Sequence, residues 1–231
     1  ALALARTVQQ QRSNEGVGFV LEGDVHAAGK KWDAAVKAYR AGMKMTPDAT
    51  AVAMKLHTVL AHSGKRADAD QWARTWLRDH SKDMVFHAYL GEWALAEHAY
   101  DDAQKHYSRL LELRPNNVLA LNNLAWLLTE QKRPGALVYA EKANQLKPDQ
   151  PALMDTLAGA LAAGNELPRA IEVQRRAVEL QPDNNDFRLR LARLYVQAGQ
   201  TQQARGELDQ LARLGERFKH HAQVAELMKA L

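Results

Sequence analysis

Nine histidines, five tryptophans and several close acid pairs are the side chains of this 231-residue chain with the chemistry to act on something. His57 and His62 stand five apart, and His220 and His221 are adjacent. A zinc site on a helix wants two histidines on one face, four apart, so these read as structural or surface residues. Asp68-Ala69-Asp70 has the spacing of a metal–nucleotide-sugar site. It brackets the small residue that opens a helix, however, and acids there are favoured by the helix dipole. Gly16-Val17-Gly18, followed by Gly23, lacks both the spacing and the preceding strand of a dinucleotide loop. No Gly-x-Ser-x-Gly elbow and no phosphate loop occur. Cysteine is absent, which removes disulfides and thiolate-bound metals. Trp32, Trp72, Trp76, Trp93 and Trp126 raise a carbohydrate platform, with Trp93 and Trp126 the two placed to reach an open face. The reading is no catalytic set, no metal and no cofactor.

The elements that position these residues are helices. Ala occurs 40 times and Leu 31 times, against one Ile and 14 Val. Ala and Leu favour helix, and strands draw on Val, Ile and aromatics, so an all-β fold is excluded and a doubly wound α/β fold disfavoured. Charge is spread evenly, +2 over residues 1–115 and +2 over the rest, which argues against a nucleic-acid stripe. No apolar run approaches the ~18 residues of a membrane span.

A repeat organises the chain. Pro47, Pro115, Pro148 and Pro182 each follow a polar residue and precede Asp or Asn, at gaps of 68, 33 and 34 residues. The first gap is two periods of 34 with Ser81 at its midpoint, and the second is a period shortened by one. Twelve residues before each marker stands an alanine, Ala35, Ala69, Ala103, Ala136 and Ala170, and the next period gives Ala204. This pattern resembles the tetratricopeptide repeat (TPR), a helix–turn–helix unit. The resemblance implies an all-α chain, a right-handed α-solenoid over residues 1–231. It divides as repeats 16–49, 50–83, 84–117, 118–150, 151–184 and 185–217, with residues 1–15 as the second helix of an earlier repeat and 218–231 as a capping helix. On this register the chain is expected to be a piece of a longer array that ends near Leu231. The family's small residue at position 8 is met by Gly23, Gly91, Ala125, Ala158 and Ala192, and His57 departs from it. Pro134 and Pro168 are expected in the first turn of second helices, where a missing N–H costs little.

In TPR proteins the first helices line a concave groove. The matching positions here give Lys55, Tyr89, Glu92, Asn122, Asn123, Trp126, Asp155, Thr156, Arg190 and Arg193 as partner-binding candidates, with His62 and Asp186 alongside. Amides would hold a peptide backbone, and Arg would take a carboxylate in a fork. The carboxylate clamp of chaperone-tail binders is matched at Asn123 and Arg190 but broken by Ala88, Glu92, Ala152 and Asp186.

A second resemblance lies in Leu121-Asn122-Asn123-Leu124-Ala125-Trp126-Leu127-Leu128, with Tyr139-Ala140-Glu141-Lys142-Ala143 and Asp155-Thr156-Leu157. These strings look like the carboxyl-terminal part of the TPR lipoproteins that accompany PEP-CTERM/exosortase systems. That implies a non-catalytic protein-interaction scaffold of a bacterial envelope sorting or exopolysaccharide pathway, holding a protein or peptide in its groove. It also implies a periplasmic or outer-membrane-associated location through a lipid anchor outside residues 1–231, with a cytoplasmic location left open. The alternatives are an exopolysaccharide-binding solenoid and the regulatory region of a larger enzyme. Neither nucleic acid nor membrane insertion by this segment is expected.

Overall fold

A computed structural model describes residues 1–231, and it is all helix. Two compact units divide it, Ala1–Trp93 and Ala94–Leu231. The first contains α1 (Leu2–Gln11), α2 (Val17–Ala28), α3 (Trp32–Met45), α4 (Thr50–His62), α5 (Arg66–Asp79) and most of α6 (Met84–Ala96). The second contains α7 (Tyr100–Leu113), α8 (Val118–Glu130), α9 (Ala136–Leu146), α10 (Pro151–Ala163), α11 (Leu167–Leu180), α12 (Asn185–Gln197), α13 (Thr201–Ala212) and α14 (His221–Lys229), with a 3-10 turn at Gly215–Arg217. No helix is long and apolar enough to cross a membrane.

The chain doubles back the same way after each of α2, α4, α6, α8, α10 and α12. Two residues past the helix end the backbone turns left-handed, at Lys30, Gly64, His98, Lys132, Asn165 and Gly199. Glycine takes that conformation without strain, and only Gly64 and Gly199 supply it. Entry into the first helices is set by short polar side chains. Asn117 accepts from the Ala120 N–H, Asn184 from those of Asp186 and Phe187, and Asp83 from that of Phe86. Each satisfies a donor that the first helical turn leaves open.

Close approach of neighbouring helices requires small residues, and the marker alanines supply it. Ala35, Ala69, Ala103, Ala170 and Ala204 are fully buried, and Ala136 nearly so. Gly23 of α2 faces Tyr39 of α3 so tightly that a Cβ there would lie 2.4 Å from the ring's Cε1. Leucines fill around these contacts, with Leu56, Leu124, Leu127, Leu161, Leu191 and Leu208 almost wholly buried. At the end of the chain, Phe218 and Val224 are buried against Leu208 and Leu211, so α14 covers the apolar face of α13.

One proline departs from expectation. Pro168 lies in the first turn of α11, but Pro134 precedes α9, whose first residue is Ala136. Gly135 between them is left-handed (φ 96°), which breaks the helix before its usual start. As a result α9 has 11 residues where α3, α5, α7 and α11 have 14.

Candidate functional site

In the first unit the polar positions of α2, α4 and α6 are joined to one another. The Lys55 ammonium of α4 reaches the Asp24 carboxylate of α2 (2.7 Å to Oδ2), and the buried Tyr39 hydroxyl of α3 donates to Asp24 Oδ1 (2.7 Å). Burial, and then the hydrogen bond to Asp24, push the Tyr39 hydroxyl's pKa up. His57, the residue that breaks the small-residue rule, is buried on α4 and lies 2.7 Å from the Tyr89 hydroxyl. That hydroxyl also meets Thr58 Oγ1 at 2.9 Å, and Thr58 gives its own proton to the Met54 carbonyl. The proton order follows: Tyr89 donates to Thr58, and His57 donates from Nδ1 to Tyr89. Burial pushes His57 down to about 4, so the ring is neutral at neutral pH. Trp93 lies edge-on to His57 and His62, at 5.3 and 5.7 Å between ring centroids. Its indole N–H is buried without a partner. Glu92 is exposed and makes no ion pair.

In the second unit α8, α10 and α12 lie side by side. Asp155 of α10 is the hub of their polar face. Its Oδ1 accepts from Arg190 Nε of α12 (2.8 Å) and from the Gln174 amide of α11 (2.8 Å). Gln174 is fully buried and donates a second bond to the Phe187 carbonyl at 3.0 Å. Arg193 donates to Gln223, Thr156 returns its hydroxyl to the Ala152 carbonyl, and Asp186 holds Lys219 at 2.8 Å. On α8 the situation is the opposite. Asn122 has a covered Oδ1 without a partner, Asn123 makes no side-chain hydrogen bond, and Trp126 meets only Tyr100 edge-on at 5.9 Å. Leu119, one turn earlier, is 40% exposed.

The ten candidates therefore fall into two sets. Lys55, Tyr89, Asp155, Thr156, Arg190 and Arg193 spend their polar groups inside the protein. Glu92, Asn122, Asn123 and Trp126 do not. Of the Arg190 fork expected from the sequence, Asp155, one repeat earlier, takes the Nε proton, which leaves the donors on the two Nη atoms. Asp24, in register with Glu92, Trp126 and Arg193, was within reach of the same reading but was not among the candidates. Gln174, on a second helix, was not legible as part of this face. The only signal was a polar residue at the position where Tyr39 and Tyr107 stand in other repeats, since a buried amide has to be bonded. Arg190→Ala is expected to lower the second unit's stability by about 1–2 kcal/mol, because Asp155 loses a charged donor while keeping Gln174. Urea denaturation followed by circular dichroism checks it.

The helical hairpins stacked within each unit have the fold of tetratricopeptide-repeat proteins. Residues 167–231 and 106–136 match tetratricopeptide-repeat family models. In fold the chain is similar to PilF of Pseudomonas aeruginosa, at 19% identity over 94% of this chain and 99% of that one, with a TM-score of 0.67. It is also similar to a tetratricopeptide repeat protein of Parabacteroides merdae, at 15% identity over 84% and 77%, with a TM-score of 0.68. YrrB, described as a TPR protein with an unusual peptide-binding site, shares 15% identity over 87% of this chain and all of its own, with a TM-score of 0.58. No curated protein matches the sequence.

Proposed function

We propose that the chain is a non-catalytic scaffold that holds an extended protein or peptide segment along the exposed polar face of its first helices. The observation that carries this reading is the unspent set on α8: Asn122 and Asn123 without hydrogen bonds, beside half-buried Trp126 and exposed Leu119. The Asn123 amide, with both a donor and acceptors free, suits the backbone of an extended segment. Asn122 adds only its amide N–H, because its oxygen is covered, and Leu119 and Trp126 offer apolar contact. The likeness to YrrB, a TPR protein described by its peptide-binding site, supports the same class of ligand. The carbohydrate reading draws less support, because Trp93 is packed among His57, His62 and Tyr89, which leaves Trp126 without a second tryptophan to complete a platform.

The test is selection of random dodecapeptides on the whole chain, followed by affinity measurement on the Asn123→Arg variant. Selected peptides are expected to lose about tenfold or more, roughly 1.4 kcal/mol, on that variant. Equal binding to both proteins would remove α8 from the site. The pathway reading, a scaffold of an envelope sorting or exopolysaccharide system with a lipid anchor outside residues 1–231, rests on the strings around Asn122-Asn123 and Asp155-Thr156. Cell fractionation with an antibody to this segment tests it, and recovery only in the cytosol would overturn it.

A further inference from the structure

A second candidate binding feature lies in the first unit, on its second helices. Between the second helices α3 and α5 runs a cleft of about 530 Å³. Its floor is Met43, Pro47, Leu56, Trp72 and Trp76. The polar atoms of this floor are turned inward. Trp72 donates its indole N–H to the Ala53 carbonyl (3.0 Å), and Trp76 donates to Asp83 Oδ2 (2.9 Å). Only carbon edges are left to line the cleft, so whatever enters must be apolar where it touches the floor.

The rim is charged, and its charges are not equally available. Asp79 is held by the Arg78 guanidinium through two bonds of 2.8 and 3.1 Å. His80 stacks on Trp76 at 3.9 Å and lies 3.0 Å from Asp48. Arg40 and Lys44 of α3 are both exposed and make no ion pair. Four residues apart, they are neighbours on the helix surface, and they set two unneutralised cations along one side of an apolar trough. Lys37, one turn before Arg40 and also exposed, extends the row.

We propose that this cleft docks a peptide segment of a partner protein in which a bulky apolar side chain is flanked by Asp or Glu. The apolar side chain enters against Met43, Pro47 and Trp72, above the buried Leu56 and Trp76, and the carboxylates lie over Arg40 and Lys44. The volume falls within the range of small-ligand and peptide-anchor sites. A bilayer surface fits less well, because the floor is recessed: Leu56 is 1% and Trp76 2% exposed, and neither can project into lipid.

The test is fluorescence anisotropy with a panel of labelled dodecapeptides carrying central Leu or Phe and flanking Asp or Glu. Matched panels carry Lys flanks, or Ala at the centre. Members of the acidic panel are expected to bind, and the Lys-flanked and Ala-centred panels to bind weakly. Arg40→Glu with Lys44→Glu is expected to weaken the acidic panel about tenfold or more and to strengthen the Lys-flanked one. Both sites are exposed, so unchanged circular dichroism is expected; should the double variant misfold, Thr75→Phe, which narrows the cleft without altering charge, takes its place and should also weaken binding. Three results would overturn the proposal: no acidic peptide bound at millimolar concentration, equal affinity for wild type and variants, or equal dependence on Arg40 and Lys44 in binding to phosphatidylglycerol vesicles. Asn123→Arg should leave this binding intact, which separates its failure from failure of the first-helix site.

Discussion

Ala170→Leu is expected to destabilise the second unit by about 3 kcal/mol, the upper end of what inserting methylenes into a packed core costs. Ala170 is fully buried on α11, in one cluster with Ala158 and Leu161 of α10 and Leu194 of α12. Leu161 and Leu194 are themselves at most 3% exposed, so the three added carbons have no solvent-facing route out. Relief requires α10 and α11 to separate, which loosens the rest of the hairpin's core. Ala152→Leu on the exposed side of α10 is the control, and should stay within about 0.5 kcal/mol of wild type. Urea denaturation monitored by circular dichroism measures both. Similar midpoints for the two variants would mean that the marker alanines do not set the helix spacing. Gly23→Ala probes the same principle in the first unit, where the new Cβ would press on the Tyr39 ring at 2.4 Å and the ring would have to move.

That dependence explains which parts of the molecule could be read from its residues. A steric need for smallness acts at one position and leaves a mark in one letter, so the row Ala35, Ala69, Ala103, Ala136, Ala170 and Ala204 announced helical hairpins before any coordinate. Side-chain partnership leaves no such mark. Lys55 and Asp24, or Arg190 and Asp155, are 31 and 35 residues apart, and their meeting depends on rotamers and on how neighbouring hairpins lie. The residue types on the first helices were therefore legible, but not which of them were already spent. Gln174 shows the same limit: the sequence shows a polar residue at a core position, and only the fold shows that Asp155 and the Phe187 carbonyl receive its protons. Pro134 failed for a local reason. Its setting matches that of Pro168, but Gly135 after it adopts a left-handed turn that Arg169 does not, and one such residue delays the helix.

The pairing of repeats also makes the site and the stability inseparable at some positions and independent at others. Charge reversal at Arg190 removes an internal bond of Asp155 and would lower partner binding through unfolding as well as through lost contact. Substitution at Asn123 breaks no internal bond, so its effect on binding can be read directly. Asp83 belongs to the first kind. Burial alone would raise its pKa, yet hydrogen bonds from the Phe86 N–H, Thr50 and Trp76 hold the carboxyl below its ordinary value. Those bonds link α4, α5 and α6, and their contribution is present above the ordinary carboxylate range and lost as acid protonates Asp83.

His57 should dominate the stability change of the first unit between pH 6.5 and 4. Its folded pKa is pushed to about 4 by burial, whereas the unfolded chain takes up the proton near the ordinary value of about 6.5. Among its charged neighbours Asp70 acts to raise that pKa and Arg66 to lower it, and neither offsets the burial. Above pH 6.5 both states hold a neutral ring and the native state carries no penalty. As the pH falls toward 4 the unfolded state gains a proton that the folded state refuses, and stability drops by on the order of 2–3 kcal/mol. His80 runs the other way: its hydrogen bond to Asp48 raises its pKa, so it adds stability at low pH and loses it as the pH rises. The two histidines oppose each other in the wild-type curve, and a variant is needed to part them. His57→Leu keeps the site apolar, leaves the Tyr89 hydroxyl its bond to Thr58, and removes the titration. The variant is expected to lose little stability over this window, or to gain some through His80, while the wild type loses stability. Urea midpoints measured at half-unit steps give the two slopes. Parallel slopes would show that the ring reaches water in the folded state and that His57 fills position 8 simply as a bulky residue.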